Sequence, residues 1–128
     1  MIHLYKFNEV NRNKDIKDYL YDIFMPLVDD GFFVKVSSDR KNNFNSQRYS
    51  VFKVDITSIE DFKLALVSDD IFRSITYLSS EDISFEYGTI STPNKRPYLD
   101  SFSKENLDLL ESDIKVKGIS LFFSNYSI

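Results

Sequence analysis

Cysteine and tryptophan are absent from this chain of 128 residues, and histidine occurs once, as His3. Without cysteine there is no disulfide framework, no thiolate zinc site and no thiol nucleophile. With one imidazole, any Ser–His–acid set would have to be built on His3, which reads as a surface residue on a first strand. Three glycines and three prolines are too few and too scattered to cradle a phosphate on a glycine-rich loop. None of the spacings GxGxxG, GxxxxGK[ST], HExxH or GxSxG occurs. No apolar run approaches the roughly 18 residues that a membrane helix needs, and no signal-peptide pattern opens the chain. The expectation is a cytoplasmic protein with no membrane contact and no cofactor or metal.

What the sequence has in quantity is aromatic side chains, 12 Phe and 8 Tyr, within a composition that is 42% hydrophobic and 28% charged. A chain of this size buries about two-thirds of its extended surface on folding, enough for one core. One domain over residues 1–128 follows. The formal charge is -4, whereas dedicated nucleic-acid binders carry a basic face. The sign is unevenly distributed: residues 31–56 sum to +3 and residues 57–90 to -5. A basic segment therefore precedes an acidic one.

The spacing of apolar residues sets the expected elements. Met1 to Phe7 alternates and reads as a strand, followed by a polar turn with Asn13 as N-cap. Ile16, Tyr19, Leu20, Ile23, Phe24, Leu27 and Val28 form a helical stripe, interrupted by Pro26, where a kink is expected, and ended by Gly31. Phe32 to Ser37 and Tyr49 to Ile56 alternate as strands, joined by the polar stretch Ser38 to Arg48 as a long-looped hairpin. Thr57-Ser58-Ile59-Glu60 fits a capping box, and Ser68-Asp69-Asp70 a second cap, so helix is expected over 58–79. Ile83, Phe85 and Tyr87 alternate as one strand face. Residues 91–101, with Pro93 and Pro97, read as a loop, and Ser103 caps a last helix that buries Leu107 and Leu110. The final strand changes its apolar face between Val116 and Ile119, placing a bulge at Gly118. The sum is an α+β fold with a ferredoxin-like βαββαβ order plus a C-terminal αβ extension. Its antiparallel or mixed sheet carries helices on one face.

The segment Tyr5-Lys6-Phe7-Asn8-Glu9, the helix from Asp15 to Val28 and the junction Asp29-Asp30-Gly31-Phe32 make up one part of a recognisable pattern. Asp69-Asp70-Ile71-Phe72, leading to Tyr77-Leu78-Ser79-Ser80, makes up the other. Together with the abundance of Asn, Lys, Asp and Ser, these resemble small proteins encoded by tailed phages of low-GC hosts. The resemblance implies a role in virion assembly or host takeover, in the host cytoplasm or the virion, and brings no catalytic residue with it.

Candidate sites are few. Asp29-Asp30 meets the negative end of a helix dipole, but adjacent carboxylates in a turn mostly face water. Asp69-Asp70 is accounted for by helix capping. The loop 39–48 is the stronger candidate for contact. Arg40, Lys41 and Arg48 supply positive charge, and Phe44 an isolated apolar anchor, for an anionic, partly apolar partner surface. The function expected is a non-enzymatic protein-interaction or assembly module, acting on a protein partner or as a homo-oligomer. An inhibitor of a host enzyme or defence protein is the alternative. A single-stranded nucleic-acid binder using the same loop and aromatic strand faces is a weaker one.

Overall fold

The computed structural model describes residues 2–42, 44–92 and 99–126, with side chains from Arg12 onward apart from those of 99–100. Helix α1 (Ile2–Asp29) leads into strands β1 (Phe33–Asn42) and β2 (Arg48–Lys63). A short 3-10 turn (Leu64–Leu66) precedes helix α2 (Ser68–Ser80), strand β3 (Ser84–Ser91) and strand β4 (Leu99–Phe102). A 3-10 helix (Lys104–Glu111) precedes the last strand, β5 (Lys115–Ser124). All pairings are antiparallel, in the order β1-β2-β5-β3-β4. The fold is α+β, but its order is not βαββαβ followed by αβ.

That difference begins at the N-terminus. Residues 2–7, expected as a strand, belong to α1, and Asn13 stands inside the helix rather than capping it. Seven residues of weak alternation do not outweigh the helix that runs on through residues 8–15 into the stripe from Ile16. Of the stripe, Ile16, Leu20, Phe24 and Leu27 are buried and Ile23 is half-buried, whereas Tyr19 and Val28 are exposed. Helix α1 runs through Pro26 for one more turn. Gly31 then reverses the chain at φ +97°, a conformation that favours glycine, with open space where a side chain would stand.

The β1–β2 hairpin is longer than its sequence suggests. Pairing runs from Phe33↔Thr57 to Asn42↔Arg48, so most of the expected loop is ladder. Strand β2 also continues through the expected capping box to Lys63. Its two ends both pair with β5, Thr57 with Gly118 and Phe62 with Val116, and the register breaks between them. The surplus residues 58–61 lie on β2, which leaves Ile59 88% exposed. This break accommodates the change of face between Val116 and Ile119. The irregularity is therefore opposite Gly118 rather than a bulge at it. A Cβ at Gly118 would come within 3.0 Å of the Thr57 methyl and 3.2 Å of the Ile56 carbonyl.

Helix α2 keeps only the second half of the expected helical span. Its N-cap is Val67, and Ser68 Oγ donates back to the Ala65 carbonyl at 3.0 Å instead of capping. Asp70 is buried beside Arg73, so capping does not account for it. Residues 99–102, expected as loop, form an edge strand, whereas 93–98 lie outside the described residues. Ser103 is the N-cap of its helix, its N–H donating to Asn106 Oδ1 at 2.7 Å, and Leu110 is buried while Leu107 is half-buried.

A single apolar cluster joins α1 and α2 to one face of the sheet, through Phe52, Val54, Ile56, Phe85, Ile119, Leu121 and Phe123. At Gly88 the chain carries no side chain because Phe102 fills the space, its ring 2.2 Å from where a Cβ would stand. No helix among the described residues is long and apolar enough to cross a membrane.

Two outcomes test this packing. Phe24→Ala empties a fully buried site under α1 and should cost about 3–5 kcal/mol in denaturant unfolding, whereas Asp18→Ala, on the exposed side, should change little. Equal losses would displace the helical phase. Asp70 gives the second. Burial pushes its carboxyl above the usual aspartate range, against the opposing pull of Arg73. A raised carboxyl favours the protonated fold, so its contribution is present below pH 3.8 and is lost as pH rises through the folded value. The melting temperature of Asp70→Asn, relative to the parent, should therefore be higher at pH 7 than at pH 4.

Candidate functional site

The hairpin distributes the four basic and aromatic candidates by strand parity. Directly paired residues of an antiparallel ladder share a face. Arg40 pairs with Ser50 and Asn42 with Arg48, so Arg40 and Arg48 lie on the helix-covered side. Lys41 pairs with Tyr49 and lies on the opposite, open side. Phe44 stands in the connection beyond both strands, 91% exposed, and does not fold back on the sheet. The structure therefore separates the expected patch into three places.

The open side carries what the sequence did not mark. Tyr49, Val51, Lys53 and Asp55 project from β2, while Ser120 and Phe122 project from β5 and Tyr87 from β3, by the pairings Val51↔Ser124, Lys53↔Phe122 and Tyr87↔Phe122. Tyr87 stacks on Phe122 with ring centroids 4.5 Å apart and 15° between planes. The Lys53 ammonium lies 5.5 Å from the Phe122 centroid, a cation–π distance. Tyr49 meets Tyr126 edge-on at 4.8 Å. Lys41, Tyr49, Val51, Glu86, Tyr87, Phe122 and Tyr126 line one shallow depression of about 460 Å³.

Tyr87 reaches this face because the β3–β5 register shifts between Phe85 and Tyr87. Phe85 points into the core and Tyr87 points out, although strict alternation would put both on one side. Phe122 was legible: Ile119, Leu121 and Phe123 as the inward set leave it outward.

Charge on the open face is mixed. Lys35, Lys41 and Lys53 come from β1 and β2, and Asp39, Asp55 and Glu86 oppose them, while the Lys63↔Lys115 pair, next to the inward Phe62↔Val116, adds two lysines beyond the register break. Lys53 pairs with Asp55 at 3.7 Å, Ser120 Oγ donates to Asp55, and Ser124 Oγ donates to Glu86 at 2.7 Å. The polar groups between the rings are thereby satisfied from within the sheet.

The outer edge of β1 is partly occupied by side chains. The Val36 N–H donates to the Tyr21 hydroxyl at 3.0 Å, and that hydroxyl donates back to the Val36 carbonyl at 3.4 Å. Further along, the Arg40 N–H donates to Asp39 Oδ1 at 2.8 Å. Occupied edge groups discourage strand addition along this part of β1.

Among the described residues no three of His, Cys, Asp and Glu gather as metal ligands. Asp29 and Asp30 are exposed at the end of α1. The chain matches no family model, no curated protein and no solved structure to which it was compared.

Phe44 gives the outcome that separates contact from stability here. Phe44→Ala should leave the melting temperature unchanged within the scatter of ordinary surface substitutions, about 0.5 kcal/mol. A clear destabilisation would mean that the ring packs on the hairpin.

Proposed function

We propose that this protein works by binding protein, as an assembly module without catalytic activity, and that its docking surface is the open face of the sheet. The observation that carries the reading is the aromatic row of Tyr49, Phe122 and Tyr87, left uncovered among the described residues on a sheet whose other face holds the core under α1 and α2. Tyrosine and phenylalanine supply contact area at little rotamer cost and are enriched where interfaces concentrate their energy. The face is on the order of 20 by 30 Å, from strand spacing and rise. That approaches the about 800 Å² per partner of a stable interface.

Charge selects the kind of partner. Lysines and carboxylates are interspersed around the aromatic row, which favours a protein surface of mixed charge over a polyanion. A second copy of this chain offers such a surface. In an isologous dimer, lysines of one face can meet carboxylates of the other. Lys41, at the hairpin end of the same face, extends the contact, and Phe44 stands in the turn beyond it. The resemblance to small phage proteins agrees with such an assembly role, in the virion or in the infected cell.

Light scattering over a concentration series tests it. The parent chain should show a dimer mass that dissociates on dilution. Phe122→Glu, which places a charge in the centre of the row, should weaken dimerisation at least tenfold, about 1.4 kcal/mol, with the far-UV spectrum unchanged. A monomer at every concentration overturns self-association. Binding to a single-stranded oligonucleotide that falls steeply with salt would transfer the face to nucleic acid instead.

A further inference from the structure

The turn of the β1–β2 hairpin presents one aromatic ring to solvent. Phe44 stands beyond the last ladder pair, Asn42↔Arg48, and is 91% exposed. Strand parity sets Arg40 and Arg48 on one side of this tip and Lys41 on the other, so cations flank the ring on both sides. Residues 39–48 sum to +2 in a chain whose net charge is -4. A projecting ring on a basic support suits a receiving surface that is apolar at its centre and acidic around it.

The helical layer carries such a surface. Ile23 of α1 and Phe72, Thr76 and Tyr77 of α2 line an open groove of about 450 Å³. Tyr19 bounds it, with its ring 5.6 Å from that of Tyr77. Arg73 also lines the groove, and Asp70 holds its guanidinium. On α1, Asp15 and Asp22 stand one turn either side of Tyr19, and on α2 Asp69 stands one turn before Arg73. All three carboxylates are exposed. Burial pushes the Tyr77 hydroxyl above its usual range, and the Glu81 and Asp15 carboxylates push it the same way against Arg12. Lys14 and Lys17 belong to the other side of α1, where they line the cleft toward β1. The groove is apolar at its floor and acidic at its shoulders.

Tip and groove complement each other in shape and in sign. The exposure of Phe44 shows that the tip does not fill the groove of its own chain, so the fitting occupant is a second copy. We infer that Phe44 of one copy seats in the groove between Ile23, Phe72 and Tyr77 of another, with the basic residues of the hairpin against the carboxylates of the groove. The depression on the open face suits the tip less well, because Lys41 and Lys53 beside it carry the same sign. Tip and groove are different surfaces, which makes the contact heterologous. Each added copy brings a new tip and a new groove, and growth continues past two copies. The contact does not depend on the open-face dimer, which joins copies through another surface. One ring and salt-screened charges make it the weaker of the two, so it sets in at higher concentration.

Light scattering on chains that carry Phe122→Glu, which leaves tip and groove intact, tests the inference. At low salt their average mass should rise with concentration past that of two copies, and added salt should move the rise to higher concentration. Adding Phe44→Ala, or Thr76→Arg at an exposed position of the groove, should move it by about tenfold or more, at an unchanged melting temperature. An equal mixture of the two double variants offers one intact tip to one intact groove. It should give the mass of two copies and no more. A monomer mass for the Phe122→Glu chain at every concentration overturns the inference. So does an association that neither addition moves, or a mixture that stays monomeric. Parent dimers that Phe122→Glu abolishes altogether would keep the open-face reading and overturn this one, whereas growth lost only with Phe44→Ala or Thr76→Arg would do the reverse.

Discussion

The pairing of β2 with β5 is the constraint from which the remainder of the molecule follows. These two strands occupy the second and third places of the sheet, and Phe52, Val54, Ile56, Ile119, Leu121 and Phe123 on their inner side are almost wholly buried. Side chains alternate along a strand, so burying this set obliges Val51, Lys53, Ser120 and Phe122 to face the other way. Nothing among the described residues covers them. The inner side is committed to α1 and α2, and the outer side inherits whatever aromatic residues fall between the core positions.

The register break in the same pair has a different consequence. Thr57 and Phe62 are both held by β5 through only three of its residues, Gly118 to Val116. The intervening 58–61 must leave the ladder, which exposes Ile59. Two short apolar faces out of phase are thereby brought to one core. The shift between Phe85 and Tyr87 does the reverse on β3, taking two residues that would share a face and sending one of them outward. Irregularities in antiparallel ladders commonly re-aim side chains in this way. Here one serves the core and the other adds a ring to the open face.

The open face and the exposed tip meet at one hairpin. Lys41 and Tyr49 look toward the aromatic row, whereas Arg40 and Arg48 look toward α1, and Phe44 stands beyond them in the turn. Tyr21 and Asp39 occupy part of the outer edge. The segment that carries the basic charge of an acidic chain is thus mostly paired strand, and parity assigns its charges to opposite faces.

By itself the sequence determined the helical stripe of α1, the turn at Gly31, the presence of β1, β2, β3 and β5, the Ser103 cap and the separation of Phe122 from its neighbours. Each rests on periodicity or on a residue with a restricted backbone, and such signals are local. It also marked Arg40, Lys41, Phe44 and Arg48 as the residues most open to contact. Tertiary structure alone decided that residues 2–7 extend a helix and that 57–63 stay in a strand. It also decided that Tyr87 turns outward and that Ile23 lines one groove with Phe72 and Tyr77. Those outcomes depend on which distant segment supplies the partner: β5 holds both ends of β2, and α2 packs beside α1. Local preference in these segments was too even to choose, so burial and ladder pairing made the choice.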